Sequence, residues 1–338
     1  MKAAVFQGVG RPLKLVETAR PAAQPGELAF KVKACGICAS DLHAAEAGII
    51  APGIILGHEY AGEVVEIGAG VSGWQVGDRL TALPLKPCGS CAKCRAGRLF
   101  ECTSLIVQGF NLALPGAYAE YATCLAALAL KIPAALNDTD AAIIEPLAVG
   151  LGACRTADLP PGASVLIIGA GIIGLSVAKW ARFFGAGVVA VSETQPARVE
   201  RIRQTAVDLV IDAGRCADPV SEFEKHAGQP PAVIFECVGR PIIHKLIEMA
   251  PTNAHLVLVG AGMQLEQFSV FSAARKRLRM SFVMGYEPAD FPFALKMLEA
   301  GRITTGQLVT RCVGLDEVPA IFEALQKPND HCKVLITP

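Results

Sequence analysis

The chain has 338 residues, enough for two packed units at about 150 residues per domain. Its 52% hydrophobic and 18% charged residues exclude global disorder. Thirty-one basic residues balance thirty-one acidic ones, so the net field offers no long-range pull on nucleic acid or an anionic membrane and a small neutral ligand fits better.

The first residues, Met1 to Gln7, run into polar, Gly-containing sequence without the apolar stretch and cleavage site of a secretion signal. The longest weakly polar run, 163–178, is too short and too interrupted by glycine to span a bilayer, so a cytoplasmic protein with no membrane partner is expected. Up to about residue 150 the pattern is alternating, with strands such as 28–33 and 60–67, Gly- and Pro-rich turns and few convincing helices. From 163 onward short β-branched runs at 165–168, 188–191, 209–212, 232–236, 255–259 and near 278–283 alternate with amphipathic stretches at 172–185, 196–206 and 241–250. That rhythm predicts an α/β fold with a doubly wound parallel sheet. Helices at 291–300 and 315–325 and a strand at 333–336 follow, the strand expected to return to the first domain. The expected partition is 1–150 with 288–338 in one domain and 151–287 in the other. The basic cluster of Arg275, Lys276, Arg277 and Arg279 reads as a solvated face.

Gly169-Ala-Gly171-Ile172-Ile173-Gly174 follows a predicted strand and opens a predicted helix. Gly169 permits the tight turn, Gly171 lets a pyrophosphate approach the backbone, and Gly174 lets the helix pack closely on the strand. Glu193 ends the next strand, where a carboxylate accepts from the adenosine ribose hydroxyls and repels the extra phosphate of NADP; NAD is therefore the expected cofactor. The alternative makes Glu193 a surface carboxylate and has Ser192 with Arg198 accommodate a phosphate. Cys237-Val238-Gly239 and Val259-Gly260-Ala261-Gly262 end later strands of the sheet, where they either flank the nicotinamide side or serve as structural turns.

Twelve cysteines are present, and four crowd into one loop as Cys88-x2-Cys91-x2-Cys94-x7-Cys102. Four soft thiolates at that spacing can wrap one Zn²⁺ in a closed tetrahedral site that fixes a lobe lacking its own core. An iron–sulfur cluster is the competing chemistry. A second, mixed cluster comprises Cys35-Gly-Ile-Cys38-Ala-Ser40-Asp41-Leu-His43, then Gly57-His58-Glu59, then Glu145-Pro146. Thiolate, imidazole and carboxylate together suit a catalytic zinc with an open position.

With these motifs in order, the chain resembles the zinc-dependent medium-chain alcohol dehydrogenases, in the bacterial branch that includes sorbitol and butanediol dehydrogenases. The resemblance covers essentially the full length: G-x-C-x-S-D-x-H at 36–43, G-H-E at 57–59, the four-cysteine lobe, E-P-L-A-V-G at 145–150 and the glycine fingerprint. It implies a GroES-like β-rich catalytic domain, a Rossmann domain and two zinc ions per subunit. Cys38 and His58 are then ligands, Glu59 and Glu145 both touch the site with the third ligand left open between them, and Asp41 orients His58 from behind. Cys35 falls outside the ligand position.

The implied reaction is hydride transfer from a zinc-held alkoxide to the nicotinamide, the proton leaving through Ser40 and the cofactor ribose to His43, a residue that is otherwise a solvent-facing turn. The apolar stretch 44–55 and Phe110 point to a secondary or aromatic alcohol, with its aldehyde or ketone as the other partner. An NADP-dependent aldehyde reductase, a polyol or sugar dehydrogenase and a non-catalytic zinc and nucleotide scaffold are the competing readings. Relatives of this branch form dimers or tetramers, so a homo-oligomer is implied.

Overall fold

A computed structural model describes residues 1–205, 207–260 and 262–338. Ala206, at the end of one expected helix, and Ala261, in the expected 259–262 turn, lie outside the described residues. Two large sheets organise the chain. The first is built around the strand Glu27–Gly36, which pairs antiparallel with Glu59–Ile67 on one side, and on the other with Tyr121–Leu125 and then Lys333–Ile336. Leu28, Phe30 and Val32 are buried in one cluster with Val64, Leu80 and Tyr118, while Ala29 between them is buried as well, so this strand is covered on both faces over part of its length. The terminal strand does return: Leu335 faces Gly36 and Ile336 faces Cys35.

The second sheet is six-stranded and parallel, in the order Leu209–Asp212, Val188–Glu193, Ser164–Ile168, Val233–Glu236, His255–Leu258, Arg279–Phe282. Its central strands are buried on both faces, with Val165, Leu166, Ile167, Val189, Ala190 and Val191 all without exposure, which is why they read as continuous apolar runs. Strand order reverses between Ser164–Ile168 and Val233–Glu236, so a crevice opens beyond their carboxyl ends.

Between the sheets lies the helix Ile144–Ala157, which spans the expected boundary at 150/151. It packs against the helices Ile172–Phe183 and Asp290–Glu299 and touches strands of both sheets. Gly150 makes the approach possible, since a Cβ there would lie 2.2 Å from Ser176 Oγ. Trp180 Nε1 and Ser176 Oγ both donate to the Leu147 carbonyl, at 2.8 and 3.3 Å. A single apolar core consequently runs from Ala34 and Ala61 through this helix to Val257.

The helix Ala39–Ala47, in the part of the chain that read as all-β, buries Asp41, Ala44 and Ala45. A polar residue on its inner side erases the apolar stripe from which helices are read. No described helix is long and apolar enough to cross a membrane.

Candidate active site and metal centres

The pairing of Gly36 with Glu59 and Cys35 with Tyr60 brings two chain segments together at one end of the first sheet. Cys38 caps the helix that leaves one strand, and His58 immediately precedes the other. One ligand atom each from Cys38, His58 and Glu59 lie within 4.8 Å of one another. Ser40 joins them: its hydroxyl donates to Cys38 Sγ at 3.1 Å and lies 3.4 Å from His58 Nε2. Behind the imidazole, Asp41 Oδ1 stands 3.3 Å from His58 Nδ1. Burial opposes a charge on His58, but Asp41 and Cys38 outweigh it and hold the imidazole pKa well above its ordinary value.

The carboxylates occupy different situations. Glu59 is fully buried and both its oxygens accept from Lys333 Nζ, at 2.7 and 2.6 Å, while the same ammonium donates to the Ile37 carbonyl at 3.0 Å. Glu145 stands in the first turn of the helix Ile144–Ala157, outside the three-residue cluster. Burial pushes its carboxyl up to about 7, with His58 acting against this and Glu59 adding to it. The Tyr286 hydroxyl, buried and without a bonded partner, sits near enough to hold that rise back.

These residues fit a zinc ion. His58 Nδ1 and Asp41 Oδ1 are buried polar atoms with no hydrogen bond of good geometry, and the opposite imidazole nitrogen shares its space with the Cys38 sulfur and the Ser40 hydroxyl. A thiolate, an imidazole and a nearby carboxylate match a three-ligand site with one open position.

The four cysteines also converge, with Cys88, Cys91, Cys94 and Cys102 sulfurs within 4.8 Å of one another. Their backbone already favours thiolates: Cys91 N and Cys94 N donate to the preceding sulfurs, both at 3.4 Å, and Cys88 N donates to Cys102 Sγ at 3.3 Å. Backbone N–H groups of Ser90 and Cys91 draw the Cys88 thiol down to about 6, whereas desolvation and the thiols of Cys91 and Cys102 push Cys94 up to about 12. Four such sulfurs ionise together only around a cation. Neither the helix Ala92–Arg95 nor the turn Leu99–Glu101 buries a residue fully, and only Leu99 and Phe100 of the turn pack against the main core, so the sulfurs have little apolar packing of their own to replace the ion.

A cleft of about 810 Å³ runs along the switch point of the parallel sheet and is lined at one side by Ile37, Ala39 and Leu42, near Cys38 in the chain. Gly169, Gly171, Ile172, Ile173, Glu193 and Arg198 line it. Cys237, Val238, His43 of the helix Ala39–Ala47 and, from the other sheet, Lys333 line it too, whereas Val259 and Gly260 do not. A Cβ on Gly174 would meet the Gly169 carbonyl at 1.9 Å, so only glycine lets this helix start so close to the strand. At Gly171 a Cβ would touch nothing within 4 Å, and no side chain caps the helix it precedes, leaving its first N–H groups to an anion. Glu193 is turned inward: one oxygen accepts from Ala170 N at 3.1 Å and the other from Thr194 N and Gln195 N at 2.7 and 3.0 Å. Arg198 donates to Asn329 and lies 3.7 Å from Glu193.

Lys333, Tyr118 and Tyr286 are the site residues that the sequence pattern misses. A lysine inside the apolar run Lys333–Ile336 was the one available signal, because a buried ammonium requires a partner. Nothing in the pattern marks either tyrosine.

Residues 24–134 match the alcohol dehydrogenase GroES-like domain family and residues 173–300 the zinc-binding dehydrogenase family. Sorbitol dehydrogenase of Bacillus subtilis is 31% identical over 100% of this chain and 97% of its own length. A zinc-binding dehydrogenase of Sinorhizobium meliloti, solved bound to NADP, superposes with a TM-score of 0.88 at 29% identity over 100% of this chain and 99% of that one. An alcohol dehydrogenase of Escherichia coli CFT073, solved with NADH, gives 0.89 at 28% identity over 100% and 99%. The chain belongs to the zinc-dependent medium-chain alcohol dehydrogenases, in the branch of sorbitol and butanediol dehydrogenases. It is an oxidoreductase of the alcohol and polyol dehydrogenase class.

Proposed function

We propose that the protein oxidises a secondary or aromatic alcohol reversibly with NAD at the Cys38–His58 centre. The observation that carries this is the convergence of Cys38, His58 and Ser40 beside a cleft that their neighbours Ile37, Ala39 and His43 line together with the glycine turn. Zinc held by Cys38, His58 and a carboxylate would supply Lewis acidity towards the alcohol hydroxyl, and the nicotinamide would accept the hydride.

The rest is the work of the chain's own side chains. Ser40 Oγ stands beside the ligand atoms and can take the substrate's proton, and His43, one turn along the same helix, offers a half-buried imidazole towards the cleft. Phe110 packs its ring 5.4 Å from the His58 imidazole and supplies an apolar wall, which favours an aromatic or branched substrate. Glu193, at the end of its strand, places negative charge where a 2′-phosphate would sit, which favours NAD. The identity to sorbitol dehydrogenase supports a second reading, oxidation of a polyol at the same centre.

We place the contact of the expected homo-oligomer at the sheet edge. Arg279–Phe282 is the last strand, and Phe282, Met284, Val270 and Phe271 beside it are 72%, 83%, 73% and 77% exposed. An open edge rimmed by large apolar residues is self-complementary across a two-fold axis, so a second copy pairing there gives a homodimer.

The deciding experiment is zinc content per subunit together with NADH and NADPH formation over polyols, diols, aliphatic secondary alcohols and benzylic alcohols. Two zincs with NAD-dependent oxidation of the apolar alcohols is the expected result. Turnover with NADP alone overturns the cofactor, polyol preference overturns the substrate, and one zinc without turnover overturns the reaction.

A further inference from the structure

We propose that Tyr118 is a positioning residue of the Cys38–His58 centre, its hydroxyl fixing Asp41 so that one carboxylate oxygen is reserved for the imidazole. This rests on the reading of His58 as a metal ligand. Asp41 and Tyr118 are both wholly buried and 77 residues apart, and the phenol O–H donates to Asp41 Oδ2 at 2.5 Å. Cys38 N donates to the same oxygen at 3.2 Å. Oδ1 receives neither and is left 3.3 Å from His58 Nδ1.

A carboxylate turns readily about its last side-chain bond, whose torsional wells are broad. Two donors on one oxygen remove that freedom, and the phenol is the shorter and more strongly bound of the two. No water reaches Asp41 to replace it, so loss of the hydroxyl leaves a buried acceptor under-satisfied and free to rotate.

Tyr118 also holds the other side of the acid–imidazole pair. Its N–H donates to the Leu56 carbonyl and Ala117 N to the Gly57 carbonyl, both at 2.9 Å, tying this segment to the residues that lead into His58. Its ring covers Gly57, where a Cβ would come within 2.5 Å of ring carbon. One residue therefore sets the backbone that carries His58 and the carboxylate that faces it. A phenylalanine would perform the first task and not the second.

The test is Tyr118→Phe, which keeps the ring and the backbone bonds, read as Zn²⁺ transfer from the holoenzyme to a chromogenic chelator. The four-cysteine site in the same molecule is the internal reference. One zinc is expected to be held about 10- to 100-fold more weakly, the usual effect of removing a partner behind a ligating histidine, and the other to be unchanged. Asp41→Asn should produce a similar loss, and adding Tyr118→Phe to it should produce no more, because the hydroxyl acts through that carboxylate. Wild-type zinc retention in Tyr118→Phe overturns the proposal. So does a full further loss in the Asp41→Asn background, or equal weakening of both zincs, which would make Tyr118 a general packing residue. His58→Ala separates the two levels: two zincs retained there refute the ligand reading itself, whereas loss of one zinc leaves Tyr118 to be judged on its own variants.

Discussion

Lys333 and Glu59 form an ion pair with neither side chain in contact with water, the ammonium within 2.7 Å of both carboxylate oxygens. A buried pair of this kind contributes little net stability over an apolar pair, but removing one member strands the other. Lys333→Met should lower stability by about 3–5 kcal/mol in denaturant titrations. A loss under about 1 kcal/mol would show that Glu59 finds a second cation, and the metal is the candidate within reach.

Cys38 supplies the sulfur of the Cys38, His58 and Glu59 cluster. Cys38→Ala should lose one of two zincs and nearly all turnover, while NAD still binds in the cleft with affinity close to that of the parent. Two zincs by elemental analysis would remove Cys38 from the centre.

The lobe of Cys88, Cys91, Cys94 and Cys102 has no buried residues in its helix or turn, so its order depends on the ion. Cys94→Ser should release that zinc alone and expose the segment to limited proteolysis near residues 92–101. A lobe as protease-resistant as the parent's would show that its hydrogen bonds suffice.

Glu193 has two tasks, gripping the turn through Ala170 and Gln195 and excluding a 2′-phosphate. Glu193→Ser should weaken NAD binding by about 10-fold or more, the scale of one charged hydrogen bond, and NADP much less. Equal losses for both cofactors, measured by fluorescence titration, would leave Glu193 with the turn alone.

At the sheet edge, Phe282→Glu places a charge on the proposed two-fold contact. Light scattering should show the subunit mass in place of its multiple, and an unchanged mass would send the interface elsewhere.

Much of this was legible in the chain because it is local. Gly169 to Gly174 is a single turn, Cys88 to Cys102 a single loop, and the central parallel strands are apolar runs that need no partner to be recognised. What stayed hidden is side-chain pairing across sequence distance. Lys333 meets Glu59 from 274 residues away, and Tyr118 meets Asp41 from 77, distances over which propensity carries no information. The expected partition at 150/151 likewise came from a change of pattern, whereas the helix Ile144–Ala157 runs through it because its Gly150 and Leu147 faces are used by the neighbouring helix. Only the fold reveals that.

That helix has a mechanical consequence. It is a stiff rod about 21 Å long, taking 1.5 Å per residue for its 14 residues. One end carries Glu145, and its flank is bolted to the helix that opens the dinucleotide turn. Cys38 and His58 stand at the end of the other sheet, one capping the helix Ala39–Ala47 and one just before the strand Glu59–Ile67. Glu145 is thus mounted on a different element from Cys38 and His58, and a tilt of that rod would carry its carboxylate towards or away from an ion held between them.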